Sequence, residues 1–172
     1  MLRKLLLGII STATFAPAVQ ANTLPPAHYN LVVTAQKAGF SVIVNPPACD
    51  KDDENYGWYR NGTVTVCQTN VYSGYRGIND WNSEDLDTLR HELHHAVQDC
   101  LVSGKMDSEL GYVYSYPYAY ADRIIGPKGI KAVQNAYKDA DYHTQVLEIE
   151  AFAVAAENNP DEQASDIRRY CM

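Results

Sequence analysis

The sequence predicts an α+β fold, a small antiparallel sheet followed by a helical half, for a chain of 172 residues. Three observations carry that expectation. Asn61-Gly62 stands between two short runs, 56–60 and 63–68, and Asn-Gly between alternating residues is the strongest short-range hairpin signal. Residues 83–102 repeat their apolar side chains at helical spacing, which marks a long amphipathic helix. Beyond it, further helical segments are bounded by proline or by Asn-Pro.

Taken in order, residues 25–38 read as a helix after its prolines, and Gly39 ends it before 40–44, a Phe-Ser-Val-Ile-Val strand candidate. Asn45-Pro46-Pro47 stops that strand, and 50–55 form a polar loop. With the hairpin this gives three strands, one of whose edges could border a cleft and pair with an extended peptide. In 83–102, Ser83 is the expected N-cap, Glu84, Asp85 and Asp87 occupy the positive first turn, and Ser103-Gly104-Lys105 close the other end. At about 100° per residue, Leu86, Leu89, Leu93, Ala96, Val97 and Cys100 fall on one arc opposite His91. One face is therefore expected to be core and the other to carry chemistry. The alternating run 112–120 holds five of the 13 tyrosines, and it suits an aromatic satellite core, a surface loop or a cleft wall. Residues 127–139 predict a helix opening with proline, 144–158 a second one ended by Asn158-Asn159-Pro160, and 161–170 a last short one.

Residues 1–21 read as a secretory signal: Arg3 and Lys4, an apolar run from Leu5, and Val19-Gln20-Ala21 as a small-residue cleavage site. The mature chain, 22–172, is then expected to form one domain and to be periplasmic or secreted. Its other segments are too short or too polar to span a bilayer. Without Arg3 and Lys4 it carries 12 basic residues against 21 acidic ones, which disfavours nucleic acid and anionic membranes as partners. All four cysteines lie in the exported part, an even number in an oxidising compartment. Cys49 and Cys67 flank the hairpin while Cys100 and Cys171 end two different helices, so the expected pairs are Cys49–Cys67 and Cys100–Cys171. Nine residues after His91, Cys100 lies about 180° round the helix, away from any metal held there.

His91-Glu92-Leu93-His94-His95 matches H-E-x-x-H on a helix. Residues four apart share a face, so His91 and His95 can hold one zinc ion with Glu92 beside it as a general base. A catalytic zinc takes three protein ligands and leaves a position for water. A third histidine in the metzincin manner needs Gly at 98 and His at 101, and those positions hold Gln98 and Leu101. The remaining common solution is a carboxylate from a downstream helix, and 148–156, Glu-Ile-Glu-Ala-Phe-Ala-Val-Ala-Ala, combines Glu with small residues that let helices approach closely.

At these two segments the chain resembles the gluzincin metallopeptidases. The run 91–99 is similar to the motif helix of thermolysin-type enzymes, and Glu148-x-Glu150-Ala151-x-Ala153 to the E-x-x-A segment of integral-membrane and small minimal gluzincins. The resemblance covers about 35 residues and implies a zincin-like fold with Glu148 as third ligand and Glu150 in a supporting or structural role, the reverse assignment remaining open. Phe152 stands where the membrane family often has Asp, so that partner is not carried over.

Asp99, one turn after His95, could accept its second ring proton or be a solvated helix end. His94 reads as a surface or supporting histidine. Tyr142 and His143 are candidate donors to a transition-state oxyanion, with a loop-tip histidine the plainer alternative. The expectation is an exported zinc metallopeptidase acting on peptides or proteins. The rivals are a zinc-binding interaction or structural module without turnover, and an amidase acting on cell-wall peptides. Oligomeric state is not encoded in these patterns.

Overall fold

The computed structural model describes residues 24–51, 56–68, 80–102 and 106–172. The signal segment 1–21, most of the polar loop 50–55 and the closing residues 103–105 lie outside them. Within the described residues the chain runs α1 (Pro26–Lys37), β1 (Ser41–Val44), a 3-10 turn (Pro47–Lys51), β2 (Gly57–Arg60), β3 (Thr63–Val66), α2 (Ser83–Val102), α3 (Pro117–Ile124), α4 (Gly126–Ala136), α5 (Tyr142–Glu157) and α6 (Pro160–Tyr170). The α+β class follows the sequence expectation.

The sheet departs from expectation in one respect. Its order is β1-β3-β2, with β2 antiparallel to β3 but β1 parallel to it. The hairpin is as predicted, Asn61 and Gly62 both adopting positive φ (46° and 74°), as a two-residue primed turn requires. Asn45-Pro46-Pro47 does not fold back tightly. It leads into the 3-10 turn, and the chain reaches the far side of β3 before β2 begins, so β1 meets β3 running the same way. The edge strand left beside α2 is β2.

The N-cap of α2 is Asn82 rather than Ser83. Asn82 Oδ1 accepts from the Asp85 N–H at 2.9 Å while Asp85 Oδ2 accepts from the Asn82 N–H at 3.2 Å, a reciprocal box one residue upstream. The face of α2 expected to carry chemistry is covered as fully as its core face. Every residue from Leu89 to Asp99 is buried, because the sheet, α5 and α6 all pack on this helix. Leu89, Leu93, Ala96 and Val97 join Leu31, Val42 and Val64 in the main core, which α6 completes with Ala164 and Ile167. A second cluster, with Tyr120, Ala121, Ile149 and Ala153, joins α3 to α5. Of the three roles expected of the run 112–120 it fills two: Tyr114 stacks on Tyr120 inside this cluster, and Tyr116 is exposed, while none of its residues lines the cleft beside α2.

Both disulfides are present, Cys49–Cys67 and Cys100–Cys171. The first lies under the hairpin with Trp58 packed on it, and the second ties the end of α6 to the back of α2. Among the described residues no helix is long and apolar enough to cross a membrane.

Candidate metal centre

α2 and α5 meet with His91, His95 and Glu148 facing one another. His91 Nε2 lies 3.1 Å from His95 Nε2, and the Glu148 carboxylate reaches His91 Nε2 at 3.1 Å and His95 Nε2 at 3.5 Å. Four bonds of about 2.0–2.1 Å in a tetrahedron place neighbouring ligand atoms roughly 3.4 Å apart. The three separations agree with that edge to within a few tenths of an ångström. Two imidazoles and a carboxylate are also the donor set of a His-His-Glu zinc site, so these residues could hold a metal ion.

The tautomer of His95 is set by its neighbour. The Gln98 amide nitrogen donates to Glu150 Oε2 at 2.7 Å and to the Leu147 carbonyl at 3.2 Å, which turns the amide oxygen toward His95 Nδ1 at 2.7 Å. That oxygen only accepts, so Nδ1 carries the proton and Nε2 presents its lone pair to the cleft when the ring is neutral. Gln98 thus holds the place expected of Asp99. Asp99 is buried but accepts from the Tyr59 hydroxyl at 2.6 Å and the Ser108 N–H at 2.9 Å, away from His95, and so ties β2 and the 108 segment to α2. Both 98 and 99 are a turn from His95; the longer glutamine side chain closes the gap.

Two residues apart on α5, Glu148 and Glu150 point about 200° from each other. Glu150 is fully buried and accepts from the backbone N–H groups of Val113 (3.1 Å) and Tyr114 (2.7 Å) as well as from Gln98. It also faces His94 Nε2 at 3.2 Å. Burial works against its ionisation, but His94, Gln98 and the Tyr114 N–H hold its carboxyl below the ordinary range. His94 is therefore no surface histidine. Burial keeps its ring neutral, and it belongs to the hydrogen-bonded block behind the centre.

Glu92 sits at the mouth of the centre with burial pushing its carboxyl up, an effect the two histidines partly offset. Burial would raise the Glu148 carboxyl too, but the His91 and His95 hydrogen bonds outweigh it and hold the group strongly acidic. The Tyr137 phenol, at the end of α4, hydrogen-bonds Glu148 and is held protonated by burial first and then by the charges of Glu148 and Glu92. Phe152 stands edge-on to His91, ring centroids 4.5 Å apart.

Tyr142 and His143 do not enter this site. Tyr142 is exposed and stacks with Tyr118, while His143 Nδ1 accepts from the Tyr112 hydroxyl at 2.6 Å and its Nε2 donates to the Leu110 carbonyl at 3.1 Å. They lie at the first turn of α5, more than a helical turn before Glu148, and face the 110–118 segment instead. Tyr137 is the phenol that reaches the centre, and nothing in the local sequence marks it, since α4 and α5 bring it there only in the folded chain.

His91, Glu92, Tyr137 and Phe152 line a cleft of about 900 Å³, bounded on one side by β2 and on the other by α4. Gly57 lets β2 come this close. A Cβ at 57 would sit 2.6 Å from Thr88 Cγ2 and 3.2 Å from Glu92 Cγ on α2, and 2.7 Å from the Thr65 carbonyl oxygen.

Fold and site together define a small α+β protein with a His-His-Glu centre beside a buried glutamate. The chain belongs to the family described as a domain of unknown function, DUF8637, which matches residues 19–172. No curated protein and no solved structure matches the chain.

Proposed function

We propose that this protein is an exported zinc-dependent metallopeptidase. The observation that carries the reading is the tetrahedral-edge spacing of His91, His95 and Glu148, with His91 and the adjacent Glu92 opening onto one cleft. The two disulfides support export into an oxidising compartment. Zinc bound there supplies a Lewis acid and a water acidified toward a pKa of about 7.

The chain's own residues do the rest. Glu92 takes the proton of the attacking water on its carboxylate and returns it to the leaving amine; a carboxyl raised by burial suits both transfers. Tyr137, held protonated, turns its one phenolic hydrogen from Glu148 to the carbonyl oxygen as negative charge develops there. In the hairpin register the Cys67 N–H donates to the Tyr56 carbonyl at 2.8 Å, so the N–H and C=O groups of Gly57 and Tyr59, out of phase with that pair, turn away from β3. The Tyr59 N–H is taken by the Glu92 carboxyl, and the Gly57 groups are placed to pair with an extended peptide laid along the cleft.

The test is a set of variants of the mature protein, assayed for zinc and for cleavage of a peptide library and of peptidoglycan. Glu92→Gln is expected to lower turnover by about 10²–10⁴-fold while keeping close to one equivalent of zinc. His91→Ala, His95→Ala and Glu148→Ala are expected to lose the metal, whereas Glu150→Ala should lower stability. Loss of zinc from Glu150→Ala but not from Glu148→Ala would reverse the ligand assignment. Cleavage confined to peptidoglycan would make the protein a cell-wall amidase, and zinc binding with no cleavage in either would make it a binding module.

A further inference from the structure

The wall of the cleft opposite α2 has a composition of its own. Ile125, Gly129, Ala132, Val133 and Ala136 follow one another at the spacing of a single helical stripe, and Phe152 continues the surface to His91. Three of these are glycine or alanine on the side of α4 that faces the cleft, so the volume that larger side chains would fill stays open. Gly129 is also fixed by Ile125, whose Cβ would lie 2.7 Å from a Cβ added at 129. No lysine or arginine is among the described residues lining the cleft. Of its carboxylates, Glu92 stands at the centre, and Asp87 pairs with Arg90 on α2. From Ile125 to Ala136, short of Tyr137, the α4 wall therefore offers neither charge nor a hydrogen-bonding side chain to an incoming group, only apolar surface.

We propose that this α4 wall is the specificity pocket of the site, seating one bulky apolar side chain, aliphatic or aromatic, of an extended peptide whose backbone lies along β2. The inference rests on the peptidase reading for the word specificity, but the pocket's preference exists with or without turnover. A peptide is the occupant because the wall is continuous with Glu92 and His91 on one side and with the outward-facing backbone of Gly57 on the other. About 900 Å³ lies within the range of sites that enclose small ligands, enough for a side chain together with its flanking backbone. Burying a leucine- or phenylalanine-sized group there gains about 1.5–3 kcal/mol, a factor of roughly ten to a hundred over alanine.

The experiment uses blocked hexapeptides that differ only in one central residue, Ala, Leu, Phe, Lys or Glu, with zinc-loaded wild-type protein and zinc-loaded Glu92→Gln. Binding to Glu92→Gln is measured by calorimetry, and cleavage by the wild type by mass spectrometry. The Leu and Phe peptides are expected to bind at least tenfold more tightly than the Ala, Lys and Glu peptides. If cleavage occurs, it should fall beside the Leu or Phe. Ala132→Phe and Ala136→Phe fill the pocket from exposed helix positions and so leave the core intact; each should erase the preference while zinc content stays the same. Equal affinities for all five peptides, a preference for Lys or Glu, or a preference unchanged in both filled variants overturns the proposal. So does saturable binding of a medium-chain fatty acid without binding of the Leu or Phe peptides, which would make the cleft a lipid site. Absence of cleavage with the affinity order intact counts against the peptidase reading and leaves the pocket supported.

Discussion

Gln98 decides which nitrogen of His95 faces the cleft, and it is itself aimed by Glu150 and the Leu147 carbonyl. Partners of this kind are worth about tenfold to a hundredfold in metal affinity. Gln98→Ala is therefore expected to weaken zinc binding by that factor in a chelator competition, with Asp99→Asn, which touches Tyr59 and Ser108 instead, having little effect on it. A second buried residue sets a pH dependence. His28 accepts from Arg90 through Nε2, and burial, then the Arg90 charge, lower its pKa from 6.5 to about 4, with Asp161 opposing. A folded-state pKa below the unfolded one means that the neutral ring contributes stability above about pH 6.5, which is lost as the pH falls toward 4. Melting temperatures over that window should fall more steeply for wild type than for His28→Gln, which keeps a neutral acceptor for Arg90. Parallel curves would show that His28 does not titrate in the fold.

At the scale of elements, the approach of β2 to α2 forms one side of the cleft. Gly57→Ala meets a backbone oxygen, Thr65 O, as well as Thr88, so the strand rather than a flexible side chain must move. Overpacking of this sort costs about 1–3 kcal/mol. Urea unfolding should show that loss in Gly57→Ala, together with weaker binding of peptides along β2; an unchanged midpoint would mean that the strand has slack. The elements themselves were largely legible in the sequence. Asn61-Gly62 specified the hairpin because two consecutive positive φ angles favour those residues. The bounds Ser83–Val102 follow from apolar periodicity, whereas the cap lies one residue before the one the sequence suggests, because Asn82 and Ser83 are both good caps and only the Asp85 pairing chooses between them. The direction of β1 was not legible, since strand sequence carries no record of which side of β3 the chain returns to.

In the whole molecule, α2 is the axis on which the sheet, α5 and α6 converge, and Cys100–Cys171 fixes the last helix to it across a sequence separation of 71 residues. Closing a loop of that length restricts the unfolded chain by about 4 kcal/mol in the chain-entropy description. The double variant Cys100→Ser/Cys171→Ser should accordingly melt roughly 10 °C lower, while its zinc content, set by α2 and α5, stays near one equivalent once folded. Metal loss at temperatures where the variant is still folded would tie the centre to the α6 staple instead. By itself the sequence determined the local facts: the helix that spaces His91 from His95, the carboxylate-bearing helix downstream, the hairpin and the two cysteine pairs, all of which follow from spacing along one element or from the ends of two. Only the tertiary structure decided that Glu148 and not Glu150 turns to the histidines, that Gln98 rather than Asp99 holds His95, and that Tyr137 rather than Tyr142 or His143 reaches the centre. Each of those depends on the angle and register at which α2, α4 and α5 pack, which many side chains set jointly and no single segment records.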